Sequence, residues 1–310
     1  MNYRILTFDG GGIRGIYTAR LLDRIFGHQL PLLDSVHLFA GTSTGGIIAM
    51  GLASGLLPSD LVNLYQVNGV DIFDALWLRH ITDLGGLAGA DYSNANLETI
   101  VTNTFGKKSL NDLLPKKVLV PSFDLDSSQD PEIDHKASDY VRSWKPKFFH
   151  NFPGDDSDGD QLVVDVAMRT SAAPTYFPSY QHYVDGGVVA NNPSMAALAQ
   201  ALDSGTGNQS LGDVRLLSLG TGVVSTFIDG QNHDWGDAQW AKPLISLMID
   251  GVAGVADYQC NRLLGDHYFR LSPTLPTAWK MDDAKDIGEM LAAADEVDLT
   301  GVLDWLEKVF

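Results

Sequence analysis

YRILTFDGGGIRG, residues 3–15, sets the frame of this chain. Tyr3 to Phe8 is a short run of β-prone residues, and three glycines stand directly behind it before the segment GIYTARLLDRIFG. That segment places Ile16, Leu22, Ile25 and Phe26 on one helical face, so the stretch reads as strand, glycine turn, helix. Gly10, Gly12 and Gly15 match the G-x-G-x-x-G spacing by which a dinucleotide-binding fold offers bare amides and a helix N-terminus to a pyrophosphate. The same amides could instead form an oxyanion hole for acyl transfer, with donors about 3 Å from a developing negative oxygen. The motif by itself leaves both open.

The unit recurs along the chain. Residues 35–40 (SVHLFA) predict a second strand, followed by GTSTGG and the helical run IIAMGLASG. Further strands are expected at 117–123, around 137–142, at 214–219 and at 267–271, with helices at 59–68, 93–104, 163–171, 194–203 and 243–264. Strands alternating with helices predict an α/β fold, a three-layer α/β/α sandwich with a mostly parallel central sheet. Ligands of such sheets gather at the carboxyl ends of the strands, where both glycine turns lie. The 310 residues show no linker, low-complexity run or repeat, and a single domain over 1–310 is expected. Its core spans about residues 4–272. Residues 273–310 read as an acidic helical appendage whose Leu303, Trp305, Leu306 and Phe310 can cover part of the sheet.

Lys and Arg number 21 against 39 Asp and Glu, a net charge of −18. Such a field repels nucleic acid and anionic headgroups alike, so nucleic acid is not an expected partner, and any membrane contact must rest on local apolar surface. Cys260 is the single cysteine, which rules out an intrachain disulfide. The N-terminus enters the first strand at once, without the basic and apolar regions of a signal peptide, and a cytoplasmic location is expected. Residues 39–58 approach the length of a membrane span, but their glycines, serines and threonines suit a buried strand, turn and helix better.

Residues 41–45, GTSTG, match G-x-S-x-G behind a strand and ahead of a helix, the context in which that motif lifts a serine hydroxyl clear of a sheet. Ser43 is thus the candidate nucleophile. The plain alternative is a helix-capping serine, and a phosphate loop would need the lysine this turn lacks. A dinucleotide fold should also carry Asp or Glu at the end of its second strand, about 20 residues beyond the glycines. Here that strand ends in Phe39, Ala40 and Gly41, and the oxyanion reading gains.

A serine needs a base. Among eight histidines, His233 and His267 follow in the order a Ser-Asp-His triad would use, yet His233 sits in an acidic loop and His267 in a predicted strand. VDGGVVANNP, residues 184–193, is the sharper candidate: Asp185, followed by two glycines, can hold its carboxylate at a strand end with little steric cover. A free aspartate, with its pKa near 3.9, is a poor base for a hydroxyl unless burial or a strong hydrogen bond alters it.

With DGGGIRG, GTSTG and DGG in this order, the chain resembles the patatin-like phospholipase family, from about residue 4 to about residue 270. RTSAAPTYFPSY (169–180), SLGTG (218–222) and ADYQCNRLLG (256–265) belong to the likeness. The resemblance implies a serine lipid acyl hydrolase of phospholipase A or lysophospholipase type working through a Ser-Asp dyad. Ser43 would be nucleophile and Asp185 general base. Gly10, Gly11 and Gly12 would supply oxyanion amides, with Arg14 adding positive charge or fixing the loop. It implies no metal and no organic cofactor, a phospholipid or other acyl-lipid substrate, and peripheral contact with membrane surfaces. A homo-oligomer and a nucleotide activator stay open, since some bacterial relatives are membrane-degrading effectors switched on by a cyclic nucleotide. The competitor from another class is a nucleotide-binding module using GGGIRG.

Other features have plainer readings. Residues 152–161, FPGDDSDGDQ, alternate carboxylates but miss the calcium-loop pattern and read as a solvated loop. His182 and Asp185 lack a third metal ligand at suggestive spacing. Residues 71–89, with Phe73, Leu76, Trp77, Leu78, Ile81 and Leu84, read as a core helix or as a mobile apolar cover that meets lipid.

Overall fold

The computed structural model describes residues 2–73, 93–129, 141–229 and 234–310. The first part of the chain runs β1 (Tyr3–Phe8), α1 (Gly15–Phe26), α2 (Leu30–Asp34), β2 (Leu38–Gly41), α3 (Thr44–Ala53), α4 (Pro58–Phe73) and α5 (Asn94–Phe105). It continues through β3 (Lys117–Asp124), β4 (Lys145–His150), α6 (Val163–Thr170), β5 (Tyr183–Asp185), α7 (Gly187–Ala190) and α8 (Ser194–Leu202). The last part is β6 (Val214–Leu219), α9 (Asp237–Leu264), β7 (Tyr268–Leu271), α10 (Ile287–Asp295) and α11 (Thr300–Lys308).

The strands line up in the order β4-β3-β2-β1-β6-β7. β3, β2, β1, β6 and β7 are mutually parallel, and β4 joins antiparallel on the outer edge of β3. Alternation along the strands builds the two cores. Ile5, Leu38, Ala40, Leu119 and Leu216 face one side, where α8 and α9 cover them with Leu198, Ala201, Cys260 and Leu264. Leu6, Phe8, Phe39, Val118, Val120 and Leu217 face the other, into the larger cluster with α1, α3, α5 and α6. A period of two on a sheet buried from both faces gives the three layers.

One edge of β3 positions the site. β2 pairs with β3 only as far as Ala40 and Leu119. Beyond that point β5 takes up β3 in the opposite direction, with Ser122 against Asp185 and Asp124 against Tyr183. Since β4 occupies the other edge over the same residues, β2 and β5 lie head to head along one edge. Their ends, Gly41 and Asp185, converge.

The differences from expectation have local causes. The second strand starts at Leu38 because Leu30–Asp34 closes as a short helix capped at Ser35. Of the strand expected around 137–142, residues 137–140 lie outside the described residues and 141–142 are not strand; the edge strand is β4, whose KPKFFH carries too many charges to read as one. α9 begins at Asp237 and not near 243. The 152–161 loop is not wholly solvated. Asp158 is buried, pairs with Lys147 Nζ at 2.7 Å and accepts the His150 N–H at 3.1 Å. Among the described residues no group of His, Cys, Asp and Glu could hold a metal ion. Of residues 71–89, 71–73 end α4 and 74–89 lie outside the described residues. The C-terminal segment is built into the α1 side of the core through Met290, Val302, Leu306 and Phe310.

Candidate active site

Ser43 stands between β2 and α3 with φ 55° and ψ −125°, backbone angles that a residue with a side chain adopts only under constraint. The constraint is visible on both sides. A Cβ on Gly41 would lie 1.9 Å from the Gly45 carbonyl oxygen, and one on Gly45 would lie 2.3 Å from that of Phe8. Glycine at both positions lets the chain fold back on itself this sharply. The Thr42 N–H donates to Phe8 O at 3.2 Å and its hydroxyl to Ala190 O at 2.6 Å. The Ser43 N–H donates to Thr170 Oγ1 at 2.9 Å, and that hydroxyl donates onward to Pro121 O at 2.6 Å. Ser43 occupies the N-cap position of α3 but makes no side-chain capping bond, so its hydroxyl is not spent on the helix.

It turns to Asp185 instead. The Ser43 side chain lies beside the buried Asp185 carboxylate and favours its charged form, and the Gly187 N–H donates to Asp185 Oδ1 at 2.7 Å. Burial raises the Asp185 pKa from 3.8 to about 6, with Ser43 and the Gly187 N–H holding it back. The carboxylate is fixed from behind by backbone bonds from Asp185 N to Ala172 O at 3.0 Å and from Gly186 N to Thr170 O at 3.3 Å.

The first glycine turn meets the same point, but its three amides differ. The Gly10 N–H donates to Asn191 O at 3.0 Å, and its carbonyl accepts from Thr221 Oγ1 at 3.0 Å. Gly10 is thereby clamped, its amide already spent on Asn191 O. Gly11 and Gly12 line the cavity, at the start of a short 3-10 turn whose first N–H groups have no partner within the turn. Gly12 has φ +59°, and a Cβ there would lie 2.2 Å from Met281 O, the carbonyl that accepts the Ile13 N–H at 2.8 Å.

Arg14 does not line the cavity. It lies beside the turn among Asp250, Tyr176 and Asp9; burial lowers its pKa against their pull, and its Nε is buried without a partner. Asp9 is held on its other side by Arg270, whose two terminal nitrogens meet the two carboxylate oxygens at 3.1 and 2.5 Å. Arg270 also donates to Ser218 at 2.7 Å.

Ser43, Asp185, Gly11 and Gly12 line a cavity of about 800 Å³, counted with its open mouth, whose remaining wall is largely apolar and includes Ile47, Leu97, Phe177, Val188 and Ile249. Among the described residues, no histidine lines it. His267 contacts Arg215 through Nδ1 at 3.1 Å at the amino end of β7, away from the carboxyl ends that carry the site. His182 is exposed in the turn before β5, and His233 lies outside the described residues. A hydroxyl beside a carboxylate of raised pKa, two unspent amides and an apolar cavity are the parts acyl transfer on a lipid ester requires.

Sequence reading brought out Ser43, Asp185 and the glycines but missed Thr170, Asn191, Thr221, Arg270 and Met281. A signal existed for some of them. RTSAAP, ANNPS and SLGTG each put a hydroxyl or amide where an apolar strand or helix ends, and those side chains form the site's scaffold.

A family model described as patatin-like phospholipase matches residues 6–198. CotR of Bacillus subtilis (strain 168) is 31% identical, over 99% of this chain and 98% of its own. A cGAMP-activated phospholipase of Pseudomonas aeruginosa is 30% identical, over 92% of this chain and 81% of its own. Among solved structures, VipD from Legionella pneumophila is similar with a TM-score of 0.40 at 13% identity, covering 95% of this chain and 67% of its own.

Proposed function

The chain belongs to the patatin-like phospholipase family and is a lipid acyl hydrolase, and we propose that it cleaves fatty acyl esters of phospholipids through a Ser43–Asp185 dyad. The observation that supports this reading most is the Ser43 hydroxyl standing beside the buried Asp185 carboxylate, whose pKa burial raises to about 6. Such a base is only partly protonated near neutral pH and far stronger than a solvated aspartate.

In the proposed cycle Ser43 Oγ attacks the ester carbonyl carbon while Asp185 accepts the hydroxyl proton. The carbonyl oxygen, now negative, is received by the Gly11 and Gly12 amides, with the positive end of α3 directed at the same place. Collapse breaks the bond to the alkoxy oxygen, and Asp185 returns the proton to the departing alcohol. Water then repeats the sequence on the acyl-enzyme, leaving free fatty acid. The apolar wall takes the acyl chain.

Contact with a membrane surface belongs to the same proposal. Ile249 of α9 lines the cavity while its neighbours Leu244, Leu247 and Met248 are exposed, a patch able to meet the apolar part of a bilayer beside the cavity. Among the described residues no helix is long and apolar enough to cross a membrane.

Fluorophosphonate labelling with peptide mapping, followed by fatty acid release from a phospholipid panel with and without cGAMP, tests the proposal. The label should fall on Ser43, and release should vanish in Ser43→Ala. Labelling at another residue, or release that survives Ser43→Ala, would refute it. Dependence on cGAMP would extend to this chain the activation that names its Pseudomonas relative.

A further inference from the structure

Three consecutive residues at the end of α6 serve the site in different ways. Thr170 receives the Ser43 N–H, and Ala172 receives the Asp185 N–H. Ser171 stands between them, at φ −103° and ψ 3°, and lines the cavity with Ser43 and Asp185. It is 7% exposed, and its Oγ is buried with no hydrogen-bond partner. A buried hydroxyl without a partner is unfavourable, since it gives up its bonds to water for nothing. Ser171 lines the cavity, so a turn about its Cα–Cβ bond would bring this unpartnered hydroxyl to an oxygen of a bound substrate.

Its place in the wall indicates which oxygen. The carbonyl oxygen is directed to Gly11 and Gly12, which come from the β1 turn. Asp185, which must return a proton to the alkoxy oxygen, stands on the side to which the 170–172 segment is bonded. We propose that the Ser171 hydroxyl donates a hydrogen bond to the alkoxy oxygen of the bound ester, steadying the charge that builds there as the tetrahedral intermediate collapses. No proton is transferred by Ser171. The carbon–oxygen bond breaks, the electron pair stays on the alkoxy oxygen, and the proton that completes the alcohol comes from Asp185.

The inference rests on the dyad reading above, and the test separates the two. Two esters of one fatty acid are compared: a p-nitrophenyl ester, whose phenolate leaves with little help, and a lysophospholipid, whose alkoxide does not. In Ser171→Ala, kcat/KM for the lysophospholipid should fall by about tenfold or more, while that for the p-nitrophenyl ester changes by less than about threefold. Fluorophosphonate labelling of Ser43 and the melting temperature should be unchanged. Ser171→Cys keeps the side-chain shape with a slightly larger and weaker donor, gives an intermediate selectivity, and serves in place of the alanine variant if that one does not fold. Equal losses on both esters would mean a structural role, and no loss on the lysophospholipid would mean no contact; either overturns the inference while leaving the dyad intact. A wild-type protein that hydrolyses neither ester overturns the dyad reading itself.

Discussion

Ser43 and Asp185 meet because the strands that carry them run toward each other along one edge of β3, β2 ending at Gly41 and β5 ending at Asp185 itself. The hydroxyl is thus brought beside the carboxylate, and no histidine of the described residues lines the cavity there. Both partners are held by hydrogen bonds to the 170–172 segment, so the geometry belongs to the junction of three elements and to no single loop.

Removing either member of the dyad should stop ester hydrolysis. Ser43→Ala and Asp185→Asn are each expected to lower kcat by about a thousandfold or more, as for catalytic groups that act as a unit. His267→Ala should stay within about threefold of wild type, because that ring is engaged with Arg215 away from the cavity. Fatty acid release assays on the three variants check this, and a collapse in His267→Ala would replace the dyad by a triad.

The pH profile follows from Asp185. As the proton acceptor it must be ionised, so kcat/KM should rise with pH and level off, with a midpoint near 6. Asp185→Glu, if active, should move that midpoint.

Stability should run the opposite way. The folded carboxyl, with its pKa near 6, binds a proton more tightly than the unfolded one at 3.8. The native state therefore holds more protons within that window, and stability falls as pH rises through it. Asp185→Asn removes the buried charge and should stabilise the protein by about 1–3 kcal/mol at pH 8, a gain that disappears below about pH 4. Thermal melts of the inactive variant at several pH values decide this; a variant less stable than wild type at pH 8 contradicts it.

Thr170 anchors the serine turn. Thr170→Val keeps the shape but removes the acceptor for the Ser43 N–H and the donor to Pro121 O. The strained backbone at Ser43 then loses a restraint, and the variant should lose about 1–3 kcal/mol of stability. Its kcat should fall about tenfold or more, with KM little changed. Steady-state kinetics and a denaturant titration measure both.

Arg270 holds the start of the glycine turn through Asp9. Arg270→Met would leave that carboxylate buried and unpaired, at a cost of about 3–5 kcal/mol. Arg270→Lys should recover only part of the loss, since an ammonium cannot reproduce two parallel bonds to one carboxylate. Melting temperatures in the order wild type, Lys, Met are expected; equal values would mean that the pair contributes nothing.

By itself the sequence determined the alternation of strand, turn and helix and the residues able to do chemistry at the turns, because apolar period and glycine placement act locally. YRILTF, SVHLFA and VRLLSL carry their strand pattern within six residues, and GTSTG and DGG carry their turns within five. β4 and β5 escaped it, one because its lysines obscure the period and the other because three residues are too few to show one. Only the tertiary structure decided that Gly10 is clamped by Asn191 while Gly11 and Gly12 face the cavity, that Asp9 is held by Arg270, and that Asp185 is buried beside Ser43 with a raised pKa. Hydrogen-bond partners and desolvation are set by atoms drawn from distant parts of the chain, and their positions exist only once the sheet has assembled.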